Sequence, residues 1–403
     1  MKHHRFGLLA LLLFLAAAAA AFADNTTSST AQQSPSIDQS PAPAAQSVRL
    51  PNYFYKRFQG TIGSDTHIVV NLMKLGGQAR GDYYDAANGI PIFFGYGSTI
   101  TSNGSVHLEA GGDITVSGAA AVTGTFDGAF VSSSELSGSW SASASGITMP
   151  FVLKESYASG AREFDMSHAQ KGYYDHARGS AEIQFSYPVM EPHGEGIAQS
   201  FNDYEASSMA GLYENGVNEA PPSTVDAAMS QFLSLFQDQL SSPGQSSRTY
   251  FPPWDYEVSS EILLNRSGIL SLENTAFSFE GGAHPNTAFR YASYDEATGS
   301  VIALSDILKP GSTARLNKVG LAMFRVEHGI PEGKGLAEAG YFVHDADFAL
   351  NDNFLIVRGG LLFRFSQYEI APYAWGAPRV FIPFNKIRDL LASNTPISPL
   401  LGR

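Results

Sequence analysis

Apolar and polar residues alternate with a period of two from Tyr53 to about Tyr157, the spacing of strands with one buried face. Gly76-Gly77, Asn88-Gly89, Asn103-Gly104 and Gly111-Gly112 interrupt the alternation; such steps supply the backbone angles of tight turns. The pattern predicts eight short strands, Tyr53–Ile62, His67–Leu75, Gln78–Asp85, Ile90–Ile100, Ser105–Ala110, Val122–Val131, Glu135–Ala142 and Thr148–Glu155. No helical period occurs among them. The expected architecture is an all-β antiparallel meander, closed or nearly closed into a barrel.

From Ala181 the period changes. Ala181–Pro188 alternates as a strand that Pro188 is expected to stop. Ile197, Phe201, Tyr204, Ser208 and Leu212 recur at helical spacing, as do Val225, Met229, Phe232, Phe236 and Leu240 behind a cap at Ser223 and Asp226. Strands are predicted at Tyr256–Ser260, Ile269–Glu273, Ala276–Glu280, Ala288–Tyr294 and Val301–Leu304. A third helix runs from Ser312 through Leu316, Val319, Met323 and Phe324 to Gly329. Strands at Asp347–Leu350, Leu355–Val357, Leu361–Phe365 and Val380–Pro383 precede a short helix around Ile387, Leu390 and Leu391. Helices grouped apart from mostly antiparallel strands describe an α+β domain with about four helices.

The ends of the chain change this picture. Lys2, His3, His4 and Arg5 precede sixteen apolar residues, Phe6 to Ala21, and a small-x-small step at Ala21-Phe22-Ala23. That is the form of a signal peptide, so an exported protein, periplasmic or secreted, is expected to start at Asp24 with no membrane span left. Residues 24–50 are rich in Ser, Thr, Ala, Gln and Pro and read as a disordered linker. The resulting layout is signal 1–23, linker 24–50, all-β module 51–157, connection 158–180, α+β domain 181–395 and tail 396–403.

The 403 residues include no cysteine, which excludes disulfides, thiol nucleophiles and cysteine zinc sites. The formal charge is −13. Without Lys2 and Arg5, 23 bases stand against 38 acids, giving −15. Nucleic acid is not expected as a partner for such a chain, whereas a basic protein is. Residues 179–247 contain no Lys or Arg, and six bases against two acids fall in the last 46 residues. Either the two regions neutralise each other inside the fold, or an acidic face meets a basic partner.

Catalytic signatures are sparse. There is no nucleophile elbow, phosphate loop, zincin motif or dinucleotide fingerprint. His344-Asp345-Ala346-Asp347 lies near Asn351-Asp352-Asn353, but the spacing fits no calcium loop and the asparagines read as a turn. His284 with Asp295 or Asp306 would be an acid–base pair only if the fold joined them. No metal or cofactor is expected, and a hydrolase with an unrecognised site is the third option after two kinds of binding protein.

Three phrases carry a resemblance. The first is Phe279-Glu280-Gly281-Gly282-Ala283-His284-Pro285-Asn286, followed by Tyr294-Asp295 and Leu304-Ser305-Asp306-Ile307. The second is Phe348-Ala349-Leu350 with Gly360-Leu361-Leu362-Phe363-Arg364-Phe365. The third is Tyr368-Glu369-Ile370-Ala371-Pro372-Tyr373-Ala374-Trp375-Gly376, then Val380-Phe381-Ile382-Pro383-Phe384. In order and spacing, residues 181–393 resemble the RsiV-like extracytoplasmic domain family, which includes a lysozyme-binding anti-sigma factor type and also occurs with the PdaC deacetylase. The phrases Gly81-Asp82-Tyr83-Tyr84, Thr123-Gly124-Thr125-Phe126-Asp127-Gly128 and Leu136-Ser137-Gly138-Ser139-Trp140 resemble small all-β modules of exported bacterial proteins.

The RsiV-like resemblance implies a non-enzymatic binding domain. The chain shows neither the transmembrane and sigma-binding segments of the signalling members nor the deacetylase catalytic domain, so the recognition surface alone carries over. Its expected binding residues are Tyr368, Pro372, Tyr373 and Trp375, with Gly281, Gly282 and His284 of the glycine bend. The expected partner is a basic protein such as lysozyme. The alternative is a cell-wall glycan stacked on tyrosines of the all-β module. Each of these residues has a plainer reading too, as a turn or as core packing.

Overall fold

The strands of the first region close into a ring. In the computed structural model, which describes residues 48–111, 122–175, 177–191, 196–213, 222–242 and 250–401, these strands are β1 (Tyr53–Ile62), β2 (Thr66–Leu75), β3 (Gln78–Asp85), β4 (Ile92–Phe93), β5 (Thr99–Ile100), β6 (Ser105–Gly111), β7 (Val122–Ser132), β8 (Glu135–Ala142) and β9 (Thr148–Glu155). The signal peptide and nearly all of the linker expected from sequence lie outside the described residues. Pairing runs β1-β2-β3-β5-β6-β7-β8-β9 and returns from β9 to β1, with β4 as a spur on β3. Eight strands thus form an antiparallel barrel, as the period-two pattern predicts.

Alternate residues fill the barrel, among them Phe54, Phe58, Leu72, Phe126, Trp140, Phe151 and Leu153. Gly128 sits opposite Gly138 in the β7–β8 register. A side chain on Gly128 would come within 2.3 Å of the Ser137 carbonyl and 3.0 Å of the Phe151 ring. Gly128 and Gly138 therefore sit where the paired strands leave no room for a side chain.

One expectation fails here, and the tyrosines of the module divide. Ile90–Ile100 is not one strand: Gly95 N–H donates to Glu109 O at 2.7 Å and Ser98 N–H to Gly95 O at 3.0 Å, folding residues 94–98 into a turn. Tyr83 and Tyr84 are 7% and 3% exposed, and Tyr83 packs edge-on to Phe126 at 5.1 Å. These two are packing residues, whereas Tyr96 of the same module is 71% exposed.

Residues 158–180 are not a bare connection. They hold β10 (Phe164–Asp175), paired along its whole length with β11 (Gly179–Met190). Its alternation is masked in sequence because its side chains are mostly half-buried or exposed. The sheet continues through β12 (Trp254–Arg266), β13 (Ile269–Phe279), β14 (Asn286–Asp295) and β15 (Ser300–Val301). β11 and β12 run parallel, because helices α1 (Gly196–Ala210) and α2 (Val225–Ser241) form the crossover between them. Pro188 does not stop β11; it pairs with Met166 beyond the last residue alongside β12, where its missing N–H is tolerated. Thr224, rather than Ser223, caps α2 by accepting from Ala227 N–H at 3.2 Å.

The last third adds the single-turn α3 (Leu304–Ile307), then α4 (Thr313–Glu327), α5 (Leu336–Ala339), β16 (Phe354–Val357), β17 (Gly360–Arg364), β18 (Arg379–Pro383) and α6 (Phe384–Ile387). Residues 347–350, expected as a strand, are turn and loop. Leu316 and Phe324 of α4 close over Ile356, Leu361, Phe363 and Ile382 of the three-stranded sheet. Val48–Arg403 forms one unit. The barrel is joined to the large sheet by an apolar cluster that includes Tyr55, Met73, Phe164, Phe201, Ile262 and Leu272. Polar bonds cross the same seam: Asn71 Nδ2 donates to Leu263 O at 3.3 Å and Asn265 Nδ2 to Tyr55 Oη at 3.2 Å.

Candidate functional site

Two of the phrases singled out in sequence meet in space. The glycine bend leaves β13 at Glu280 and enters β14 at Asn286. Gly281 has φ +76°, and a side chain there would press on the Pro252 ring at 3.1 Å, so this position needs glycine. Gly282 has no such constraint. The bend presents His284, whose Nδ1 lies 2.8 Å from Pro285 O. The Tyr373 hydroxyl donates to the same carbonyl at 2.5 Å, and the His284 and Tyr373 rings lie 4.1 Å apart. Tyr368 extends the row, 5.6 Å from Tyr373.

The result is an aromatic ledge of His284, Tyr373 and Tyr368. Pro372 leads into a single 3-10 turn, Tyr373–Trp375, with Tyr373 half-buried against His284. Trp375 turns the other way. It is half-buried, packs edge-on to Tyr341 at 5.1 Å, and lies where a side chain on Gly340 would clash at 2.8 Å. The structure therefore brings together six predicted residues, Gly281, Gly282, His284, Tyr368, Pro372 and Tyr373, and puts Trp375 against the core. Phe342, 56% exposed and bonded through its N–H to Ile370 O at 2.9 Å, stands beside the same segment and was not singled out in sequence.

Tyr368 is 56% exposed and has φ +64°, left-handed backbone that a tyrosine seldom adopts. Neighbours enforce it: Glu369 accepts from Ser366 N–H at 2.7 Å and from Asn351 Nδ2 at 3.1 Å. Strain of this kind concentrates at functional positions.

The acid–base pairs considered for His284 do not form. Asp295 accepts from Ala297 N–H and the Thr298 hydroxyl, and Asp306 from Ala303 N–H. Asp345 likewise serves Arg325 at 2.7 Å. Among the described residues no group of three metal-ligating side chains occurs.

A second constellation went unnoticed in sequence. Glu261 and Glu273 are direct cross-strand partners on β12 and β13, and Arg364 and Arg379 are direct partners on β17 and β18. Either pair alone would repel. Facing each other they match: Glu273 accepts from Arg364 at 3.1 Å and from Arg379 at 3.0 Å. The barrel supplies Arg80, 3.9 Å from Glu261. An aromatic ring lies under each guanidinium: Tyr96 under Arg80 at 4.3 Å, Phe289 under Arg364 at 3.3 Å and Phe93 under Arg379 at 4.2 Å. Together they line a cleft of about 280 Å³ between barrel and sheet. Burial pushes the Glu261 carboxyl up, against the pull of Arg80. The available signal was a lone charge in an apolar strand at positions 273 and 364; Glu261 shares its strand with Asp255, Glu257 and Arg266 and gives none.

The carboxy-terminal arginines thus neutralise Glu273, which lies outside the acidic 179–247 run. Within that run, Asp226 pairs with Lys171 at 2.6 Å and Glu182 accepts from Gln170 at 2.7 Å. Glu205, on the buried face of α1, is held by Asn274 at 3.4 Å, and its other oxygen has no partner among the described residues. Burial pushes its carboxyl up to about 7. Glu195, Glu214 and Glu219 lie outside the described residues.

Comparison with known proteins finds similarity over part of the chain. No curated protein matches it. Among solved structures, a DUF3298 family member from Bacteroides fragilis NCTC 9343 is 21% identical over 61% of this chain and 99% of its own, with a TM-score of 0.48. A DUF3298 family protein from Pseudomonas aeruginosa PAO1 is 14% identical over 57% and 95%, with a TM-score of 0.42. The family model described as "Deacetylase PdaC" matches residues 177–287, and that described as "Protein of unknown function (DUF3298)" matches residues 305–385. The glycine bend falls in the first match and the Tyr368–Trp375 segment in the second, so the ledge is built where the two matched segments touch.

Proposed function

We propose that the protein is exported to the periplasm or secreted, and works without catalysis as a binding protein for a basic cell-wall-directed protein such as lysozyme. The ledge of His284, Tyr373 and Tyr368 is the contact surface. The observation that carries this reading is Tyr368: an exposed aromatic ring held at φ +64°, where glycine or asparagine would be less strained. A ring kept there against backbone preference suits a contact role, and tyrosine anchors are enriched at interface hot spots. The formal charge of −13 favours encounter with a basic partner.

Titration of the full mature chain with a c-type lysozyme tests the reading by calorimetry. A complex at low salt that weakens as salt rises is the expected result. No heat and no co-elution at low salt would sink it. Binding to wall glycan that ignores salt would replace the protein partner with a sugar.

A further inference from the structure

We propose that the open face of the large sheet is a docking surface for a polypeptide segment that carries arginine or lysine. This rests on the reading that the partner is a basic protein, and adds where its charges sit. Residues directly opposite one another on paired strands share a face. One such row is Gln184, Glu257 and Phe277, and the next is Glu182, Asp255 and Phe279. The other face of these strands, with Ile183, Tyr256 and Ala276, is closed by apolar side chains of α1 and α2. Among the described residues this face stays open: Asp255 is exposed and the other five are half-buried. β13 leaves it at Phe279 and runs into the bend that carries His284, so the face continues towards the ledge.

Opposite charges across strands stabilise a sheet and like charges destabilise it. Here Glu182 lies directly opposite Asp255, and the Asp255 carboxyl is pushed up by desolvation and by the Glu182 charge. The groups bonded to the acids are neutral. Gln170 donates to Glu182 at 2.7 Å, the Tyr174 hydroxyl donates to it as well, and Gln184 donates to Glu257 at 3.3 Å. Lys171 is engaged by Asp226 at 2.6 Å, and Arg80, which attracts Glu257, stands 3.9 Å from Glu261. A second feature, independent of charge, selects the chemistry of the ligand. Glu257 faces the Phe277 ring across the strands and Asp255 faces Phe279, while Tyr174 stands 64% exposed at the rim. An arginine or lysine side chain uses both parts, a carboxylate for its head and an apolar ring for its stem. A bare cation would leave the rings unused.

A hexa-arginine peptide is the probe, titrated at low salt into the full mature chain by calorimetry, with a c-type lysozyme alongside. The peptide should bind saturably, and Asp255→Asn should weaken it about tenfold, the scale of one charge-assisted contact. Glu332→Gln, which removes the same charge from an exposed turn elsewhere, should leave it unchanged. Asp255→Asn should also keep or raise the unfolding midpoint, because it relieves the repulsion from Glu182; Glu257→Gln repeats the test if that variant fails to fold. Tyr368→Asn should weaken lysozyme and leave the peptide unaffected. A chain that binds the peptide at Asp255 but never lysozyme keeps this surface and loses the proposed partner. Absence of saturable peptide binding, or equal losses from Asp255→Asn and Glu332→Gln, would overturn the docking surface whatever lysozyme does.

Discussion

The ledge and the cleft use water in opposite ways. The ledge is two exposed rings and the half-buried Tyr373 between them, positioned by two short turns and one shared carbonyl at Pro285. The cleft buries charges contributed by the barrel and by both sheets of the second half. Desolvating those charges is expensive, so each must find its counterpart before the fold closes. The ledge carries no comparable debt. The difference teaches where damage should register: a substitution in the cleft strikes stability first, and one on the ledge strikes binding alone.

The largest effect is expected at Glu273. Replacing it with Ala leaves Arg364 and Arg379 facing each other across the β17–β18 register without the carboxylate that bonds both. Loss of one partner of a buried ion cluster destabilises by about 3–5 kcal/mol, read as a lower urea midpoint. A loss no larger than that of a surface substitution would mean that the cleft is wet and loosely held, and the contrast with the ledge would collapse.

Glu205 sharpens the comparison, because it is a buried carboxyl without a formal ion-pair partner. Its folded value is raised to about 7 from an ordinary 4.5. Between these two values the unfolded chain gives up its proton while the folded chain keeps it. Glu205 therefore contributes a loss of stability as pH rises from 4.5 towards 7, and the loss is complete above 7. Glu205→Gln should remove that slope and stabilise the protein at pH 8 by on the order of 2 kcal/mol relative to wild type. Parallel denaturation curves at pH 5 and pH 8 check it. If the variant is equally favourable at both, the carboxyl is not protonated in the fold.

The same contrast governs what could be read beforehand. β8 and β9 were legible to the residue because each buries mainly one face, whereas β2 is buried on both faces and residues 90–100 break at the turn around Gly95. The ledge was legible as two separate phrases, since Gly281 and Pro372 mark turns by residue type alone. What joins them, Pro285 O accepting from Tyr373, spans 88 residues and leaves no local trace. Trp375 looked like an anchor because a tryptophan beside a proline suits an interface; Gly340, 35 residues earlier, decides otherwise. The cleft was the least legible. Glu273 looks like an isolated charge in an apolar strand and Glu261 like one of several charges in its own, and the strand pairing that makes them neighbours depends on the turn at Ser267 and Gly268. β10 was missed for a related reason: as an edge strand it buries little and its alternation is faint.

The smallest effect on stability, and the most telling, is expected at Tyr368. Its side chain is 56% exposed, so truncation removes little packing, and surface changes usually stay within about 0.5 kcal/mol. Its backbone adds a second term. At φ +64° asparagine is easier to accommodate than tyrosine, and relief of such strain is worth about 1 kcal/mol. Tyr368→Asn should therefore be neutral or slightly stabilising, seen as an unchanged or higher unfolding midpoint. If the ledge is the contact surface, the same variant should weaken the complex with lysozyme at least about tenfold, the loss of one interface anchor. Stability and binding would then move in opposite directions, as they do where strain is kept for function. A variant that loses stability and keeps its binding would show that Tyr368 serves the fold, and would move the search for the contact surface away from the ledge.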